Sequence, residues 1–169
     1  MILTMQKYFF ILSVFILFAC SDDDDLGVEV ELKYYEGSQV SSDFPYVDSG
    51  SNIVFHRFFK AEDDPMIADD EYSEDFLFEV STGSNSFNIE GEQLRNQRVL
   101  LNQYCFCAPY DFIELIDGFV RGDKIGNNWT VDANIVYRLG YINVEDNDTV
   151  FFDNQVQNFT GLFRAAERP

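Results

Sequence analysis

The chain has 169 residues, of which 30 are acidic and 11 basic, for a formal charge of -19. Apolar residues make up 46% and aromatics 17%, which excludes disorder for most of the chain and favours one domain over two large ones. A surface this acidic repels phosphate, and the sequence has no basic patch to release counterions, so no nucleic-acid partner is expected.

Residues 1–19 read as an export signal. Lys7 supplies the positive end, and Phe9 to Ala19 is an apolar run broken only by Ser13. That run is well short of the ~20 residues a membrane-spanning helix needs. Residues 20–27 form a tether in which Cys20 is followed by Ser21, Asp22, Asp23, Asp24 and Asp25. Self-repulsion keeps such a run solvated. Residues 28–169 are expected to form a single domain.

From Val28 onward the apolar pattern has a period close to two. Val28, Val30, Leu32 and Tyr34 alternate with Glu29, Glu31 and Lys33, a half-buried strand. Further strands are expected at Ile53 to Phe59, Phe76 to Val80, Phe87 to Ile89 and Val99 to Cys107. Ile113 to Ile116 leads into a turn or bulge at Asp117-Gly118, after which Phe119 to Ile125 continues as strand. Gly126-Asn127-Asn128 is a hairpin turn. The clearest strand follows, with Trp129, Val131, Ala133, Ile135 and Tyr137 on one face. Glu145 to Asp148 is a turn, Val150 to Phe152 a short strand and Phe159 to Ala165 a closing one. Only Glu90 to Arg98 suggests helix, one or two turns of it. Many short strands with polar turns between them predict an all-β fold, an antiparallel β-sandwich, with a small barrel as the alternative.

Three groups of residues bear on chemistry. Cys105 and Cys107 are the only thiols left if Cys20 is modified, and an even number in an oxidising compartment suggests a disulfide. A bond across one residue needs a local bulge, because a regular strand holds the two Cα atoms near the 7 Å limit. Two buried thiols, or a metal or redox site, are the alternatives. The second group is the loop holding Glu62, Asp63, Asp64, Asp69, Asp70 and Glu71, which reads first as a solvated acidic loop. Its oxygens are also of the kind that gather Ca²⁺, although the spacing is not that of an EF-hand. The third is a set of tyrosines, some of them necessarily exposed, suited to stacking on sugars. Trp129 belongs with the core, and His56, the only histidine, reads as a packed or surface residue rather than a ligand. No nucleophile, metal-binding or phosphate-cradling motif appears, so no enzyme and no cofactor are expected.

Leu17-Phe18-Ala19-Cys20 resembles a bacterial lipobox, and Ser21 with Asp22 to Asp25 resembles the signal that takes Bacteroidota lipoproteins to the outer face of the outer membrane. The resemblance implies acylation of Cys20, which becomes the first mature residue, and display at the cell surface. Acyl chains add roughly 0.8 kcal/mol of membrane affinity per buried methylene. Asp148-Thr149-Val150 resembles the O-glycosylation signal of the same group, which marks Thr149. The rest of the chain is similar only in general layout to small β-rich lipoproteins of that group. The expected function is therefore a non-enzymatic, lipid-anchored module that binds a glycan, a peptide or an outer-membrane protein; a structural partner in envelope assembly is the alternative, and a glycan-active hydrolase a weaker one.

Overall fold

A computed structural model describes residues 28–62, 72–81, 83–105, 110–145 and 147–169. In chain order its elements are β1 (Glu29–Val40), β2 (Val47–Lys60), β3 (Ser73–Val80), β4 (Ser86–Glu90), a one-turn helix α1 (Gly91–Arg95), β5 (Val99–Tyr104), β6 (Phe112–Ile125), β7 (Asn128–Ile142), β8 (Thr149–Phe151) and β9 (Gln155–Ala165). The fold is all-β, as the periodicity predicts. Among the described residues, β5 ends at Tyr104 rather than Cys107, and the helix is a single turn, Gly91–Arg95, within the expected Glu90 to Arg98.

The strands form one hydrogen-bonded path, β4-β6-β7-β9-β1-β2-β3-β5, with β8 added beside β7. The two expected layers are thus two halves of a single sheet that curls over on itself without closing into a barrel. Phe55 on β2 demonstrates the curl. Its ring stacks on Phe78 of β3 at 5.0 Å, and it also meets Phe87 of β4 at 5.3 Å, Phe163 of β9 at 5.4 Å and Trp129 of β7 at 5.6 Å. β2 and β4 are far apart along the path, so they touch only because the halves face each other. Trp129, Val131, Ala133, Ile135, Tyr137 and Leu139 are all buried on the inner face of β7, as strict alternation requires.

Local features follow from particular residues. β6 and β7 pair through a two-residue turn, with Gly126 at φ +63°, a rotation that suits the twist of a hairpin. Ile116 is the extra residue of a bulge, since Leu115 faces Tyr137 and Asp117 faces Val136. Gly118 makes that bulge fit: its φ is +119°, and a Cβ there would sit 2.0 Å from the Asn134 carbonyl oxygen.

The β1–β2 hairpin is longer than the alternation of Val28 to Tyr34 suggests. At Gly37 (φ +61°) and Ser38, which faces both Ser49 and Asn52, the ladder is interrupted. Beyond it the hairpin end lies over the outer face of β2 and β3. There Val40 and Val47 pack with Tyr35, Val54 and Leu77 in a second, smaller core. Glu79 accepts the Val40 N–H at 2.9 Å, and Arg98 donates to the Val40 carbonyl at 3.1 Å. The sequence sign of this second layer is that Ile53-Val54-Phe55 and Phe76-Leu77-Phe78 are continuous apolar runs, the pattern of strands buried on both faces.

Candidate functional site

The end of the folded-over hairpin carries the most exposed aromatic group of the described chain, Phe44, whose residue is 82% exposed. Short local bonds hold it. The Ser41 N–H donates to the Tyr46 carbonyl (2.9 Å), the Tyr46 N–H to the Asp43 carbonyl (2.7 Å) and the Asp43 N–H to Ser41 Oγ (3.2 Å). The Phe44 ring stands edge-on to Tyr46 at 5.6 Å, and the Tyr46 hydroxyl lies 2.9 Å from that of Tyr104 at the end of β5. Ser41 and Ser42 of the same loop, with Gln39, Asp48 and Arg98, surround a cleft of about 350 Å³ floored by Val40, Val99 and Leu100. An apolar ring beside a cleft rimmed with hydroxyl, amide, carboxylate and guanidinium groups can stack one face of a flat ligand and hydrogen-bond its edge.

Next to this patch, His56 Nε2 and Asp75 Oδ1 lie 2.6 Å apart, with Asp75 buried. The Tyr104 hydroxyl is kept protonated well past its ordinary range, first by burial, then by its bond with Tyr46 and by the charge of Asp75.

A second polar group occupies the interior, on the opposite face of β3. Glu74 is buried there and accepts hydrogen bonds from Arg57 (2.9 Å), from the Tyr72 hydroxyl (2.9 Å) and from the Gln157 amide. Gln103 donates to Tyr72 at 3.1 Å, and Tyr137 donates to Gln155 at 2.9 Å. The Arg57 guanidinium also lies over the rings of Phe59 (5.2 Å) and Phe159 (5.6 Å). Burial, then the negative charge of Glu74, pushes the Tyr137 hydroxyl up to about 12 and raises Tyr72 in the same direction. Sequence reasoning missed both polar groups. Glu74 and Asp75 look like two more acids in an acid-rich stretch until the β2–β3 register sets them opposite Phe59 and Phe58, on opposite faces.

Of the residues singled out in the sequence, Cys20, Ser21, Asp22, Asp23, Asp24, Asp25, Asp63, Asp64, Asp69, Asp70, Glu71 and Cys107 lie outside the described residues. Glu62 is exposed just past the end of β2, Cys105 is disulfide-bonded, and Thr149 is exposed at the start of β8. The register sets Glu29 opposite Lys60, Lys60 opposite Ser73 and Ser73 opposite Tyr104, so these four residues share one end of the sheet. Trp129 is in the core, only 1% exposed, and His56 is engaged by Asp75. Among the described residues no three His, Cys, Asp or Glu side chains are grouped to hold a metal, and no helix is long and apolar enough to cross a membrane.

Compared with protein-family models, with curated proteins and with solved structures, the chain matches none.

Proposed function

We propose that this protein is a non-enzymatic lipoprotein, anchored through Cys20 to the outer membrane and displayed at the cell surface, where its domain binds neutral glycan chains in the cleft beside Phe44. The observation that carries the reading is the pairing of a solvent-facing ring on a hydrogen-bonded loop with a polar-rimmed cleft that Ser41 and Ser42 of the same loop help to line. Phe44 is 82% exposed, which leaves its ring free to stack on a ligand. Neutral glycans fit better than acidic ones because a chain with a formal charge of -19 repels polyanions. The Asp22 to Asp25 run would hold the domain off the membrane and leave the cleft open to polymers from outside.

Affinity electrophoresis in gels containing individual neutral polysaccharides tests this. The protein is expected to be retarded by at least one of them. Phe44→Ala is expected to weaken that binding at least tenfold, about 1.4 kcal/mol, with an unchanged melting temperature, because the ring is exposed. A protein retarded by none of the panel, or a variant retarded as strongly as the parent, contradicts the reading.

A further inference from the structure

Every pair of neighbouring strands in the sheet runs antiparallel except β1 and β9. These two run parallel and share only two paired positions, Lys33 with Arg164 and Tyr34 with Ala165, although they are 12 and 11 residues long. The Ala166 N–H donates to the Tyr34 carbonyl at 3.0 Å, so the backbone groups of Tyr34 turn toward β9. Backbone groups of alternate residues in a strand point to the same edge. Those of Leu32 and Val30 therefore also face β9, and those of Leu162, Thr160 and Asn158 face β1. The Lys33–Arg164 pairing engages the Leu32 carbonyl, and among the described residues no ladder pairs the rest of these facing edges.

What opens there is a cleft of about 430 Å³, lined by Val30, Leu32, Lys33, Leu162 and Arg164 among others. Val30 is 50% and Leu162 44% exposed, high for large apolar residues on long strands. The inner side of the seam is apolar and narrow: Leu32 rests on Gly161, where a Cβ would come within 2.1 Å of its Cδ1. On the outer side, Lys33 and Arg164 stand opposite each other, a like-charge pair that opposes the contact, with Glu31 bonded to Lys33 from its own strand.

We infer that the β1–β9 seam is an acceptor for an extended peptide segment of a partner protein, entering antiparallel to both strands. A strand of that direction would pair antiparallel with both neighbours where they diverge and would satisfy two rows of backbone groups at once, which is how strand addition gains affinity. The geometry also sets its side chains. Residues pointing inward meet Leu32, Val30 and Phe159 and are apolar. The entering strand ends beside the paired Lys33 and Arg164, and its outward residue next to them is acidic, since a carboxylate there meets two cations. Leu32 is the side chain that must swing off Gly161 for the strand to enter.

The test uses the whole domain and two synthetic nine-residue peptides of alternating Val and Thr, one with an outward Asp near its N-terminus, the end that meets Lys33 and Arg164, and one with Lys in its place. Binding is followed by fluorescence anisotropy and by amide hydrogen exchange. The Asp peptide is expected to bind and to slow exchange at Val30, Leu32, Thr160 and Leu162, and the Lys peptide to bind at least tenfold more weakly. Lys33→Glu is expected to reverse that preference, which a general loss of stability cannot do. Thr160→Pro removes one seam-facing N–H while sparing the β7 ladder, and is expected to weaken the Asp peptide at least tenfold with the domain still folded. The inference is overturned by absence of binding at millimolar peptide, by equal affinity for both peptides, or by strong protection of these four amides in the free monomer, which would mean the chain fills its own seam. A dimer protected at the same amides overturns it too, in favour of a second copy as occupant.

Discussion

Phe55→Ala is expected to lower the unfolding free energy by about 3–5 kcal/mol, the range for removing a fully buried phenyl ring. Phe55 has no exposed surface and is the one ring that contacts β3, β4, β7 and β9 together. The cavity left behind has little chance to collapse, because its walls are themselves large: Phe78, Phe87, Trp129 and Phe163. Domains of this kind are stable by roughly 5–15 kcal/mol, so the variant loses a large share of its margin. Urea unfolding checks this: the midpoint should fall sharply while the slope stays constant, as expected when stability changes and compactness does not. A loss below about 1 kcal/mol would mean that the two halves of the sheet do not depend on this contact.

The second large effect is at Glu74. Glu74→Ala leaves the Arg57 guanidinium, the Gln157 amide and the Tyr72 hydroxyl without their acceptor. The side chains of Arg57 and Glu74 are only 14% and 7% exposed, so solvent replaces little of what is lost. Breaking a buried pair from one side typically costs about 3–5 kcal/mol, whereas replacing both partners by apolar residues of similar size is often neutral. Arg57→Met combined with Glu74→Leu should therefore recover most of the stability that Glu74→Ala loses. Equilibrium unfolding of the single and double variants decides it. A double variant as unstable as the single one would show that the loss comes from packing or from the unpaired Gln157 and Tyr72 groups and not from an orphaned charge.

The parts of the fold legible in the sequence are those where one strand face is wet. β7 alternates from Trp129 to Tyr137 with Val136 as the one exception, and its buried set is the expected one. The turn at Gly126, and a bulge beside Asp117-Gly118 whose extra residue is Ile116, were legible because glycine is the residue that tolerates the positive φ found at Gly118 and Gly126. The folded-back end of the β1–β2 hairpin was not. Gln39 to Asp48 is polar and short of apolar alternation, and its place is set by distant partners, Glu79 and Arg98, which no local pattern announces. The parallel contact of β1 with β9 escaped for the same reason: it joins the two ends of the domain through two residue pairs.

The candidate sites were still less legible. Tyrosine content pointed to aromatic surface in general, but Tyr34 and Tyr35 are buried while the most exposed ring is Phe44, a residue with no motif around it. The Glu74 network was invisible because its members, Arg57, Tyr72, Gln103 and Gln157, come from four separate segments that only the sheet register gathers. The cations of this acidic chain show a related economy. Lys33, Arg57, Arg121, Lys124 and Arg138 each pair with a carboxylate, leaving the surface charge dominated by unpaired acids. Exposed pairs of this sort add little stability, typically about 0.2–1 kcal/mol each.

Attachment at Cys20 decides whether the cleft beside Phe44 faces extracellular polymers at all. Intact-mass spectrometry of the protein extracted from its native membranes tests it in a single reading. A lipoprotein gives a chain that begins at Cys20 with the added mass of its acyl groups. A native product that keeps residues 1–19, or starts elsewhere and carries no acyl mass, contradicts it.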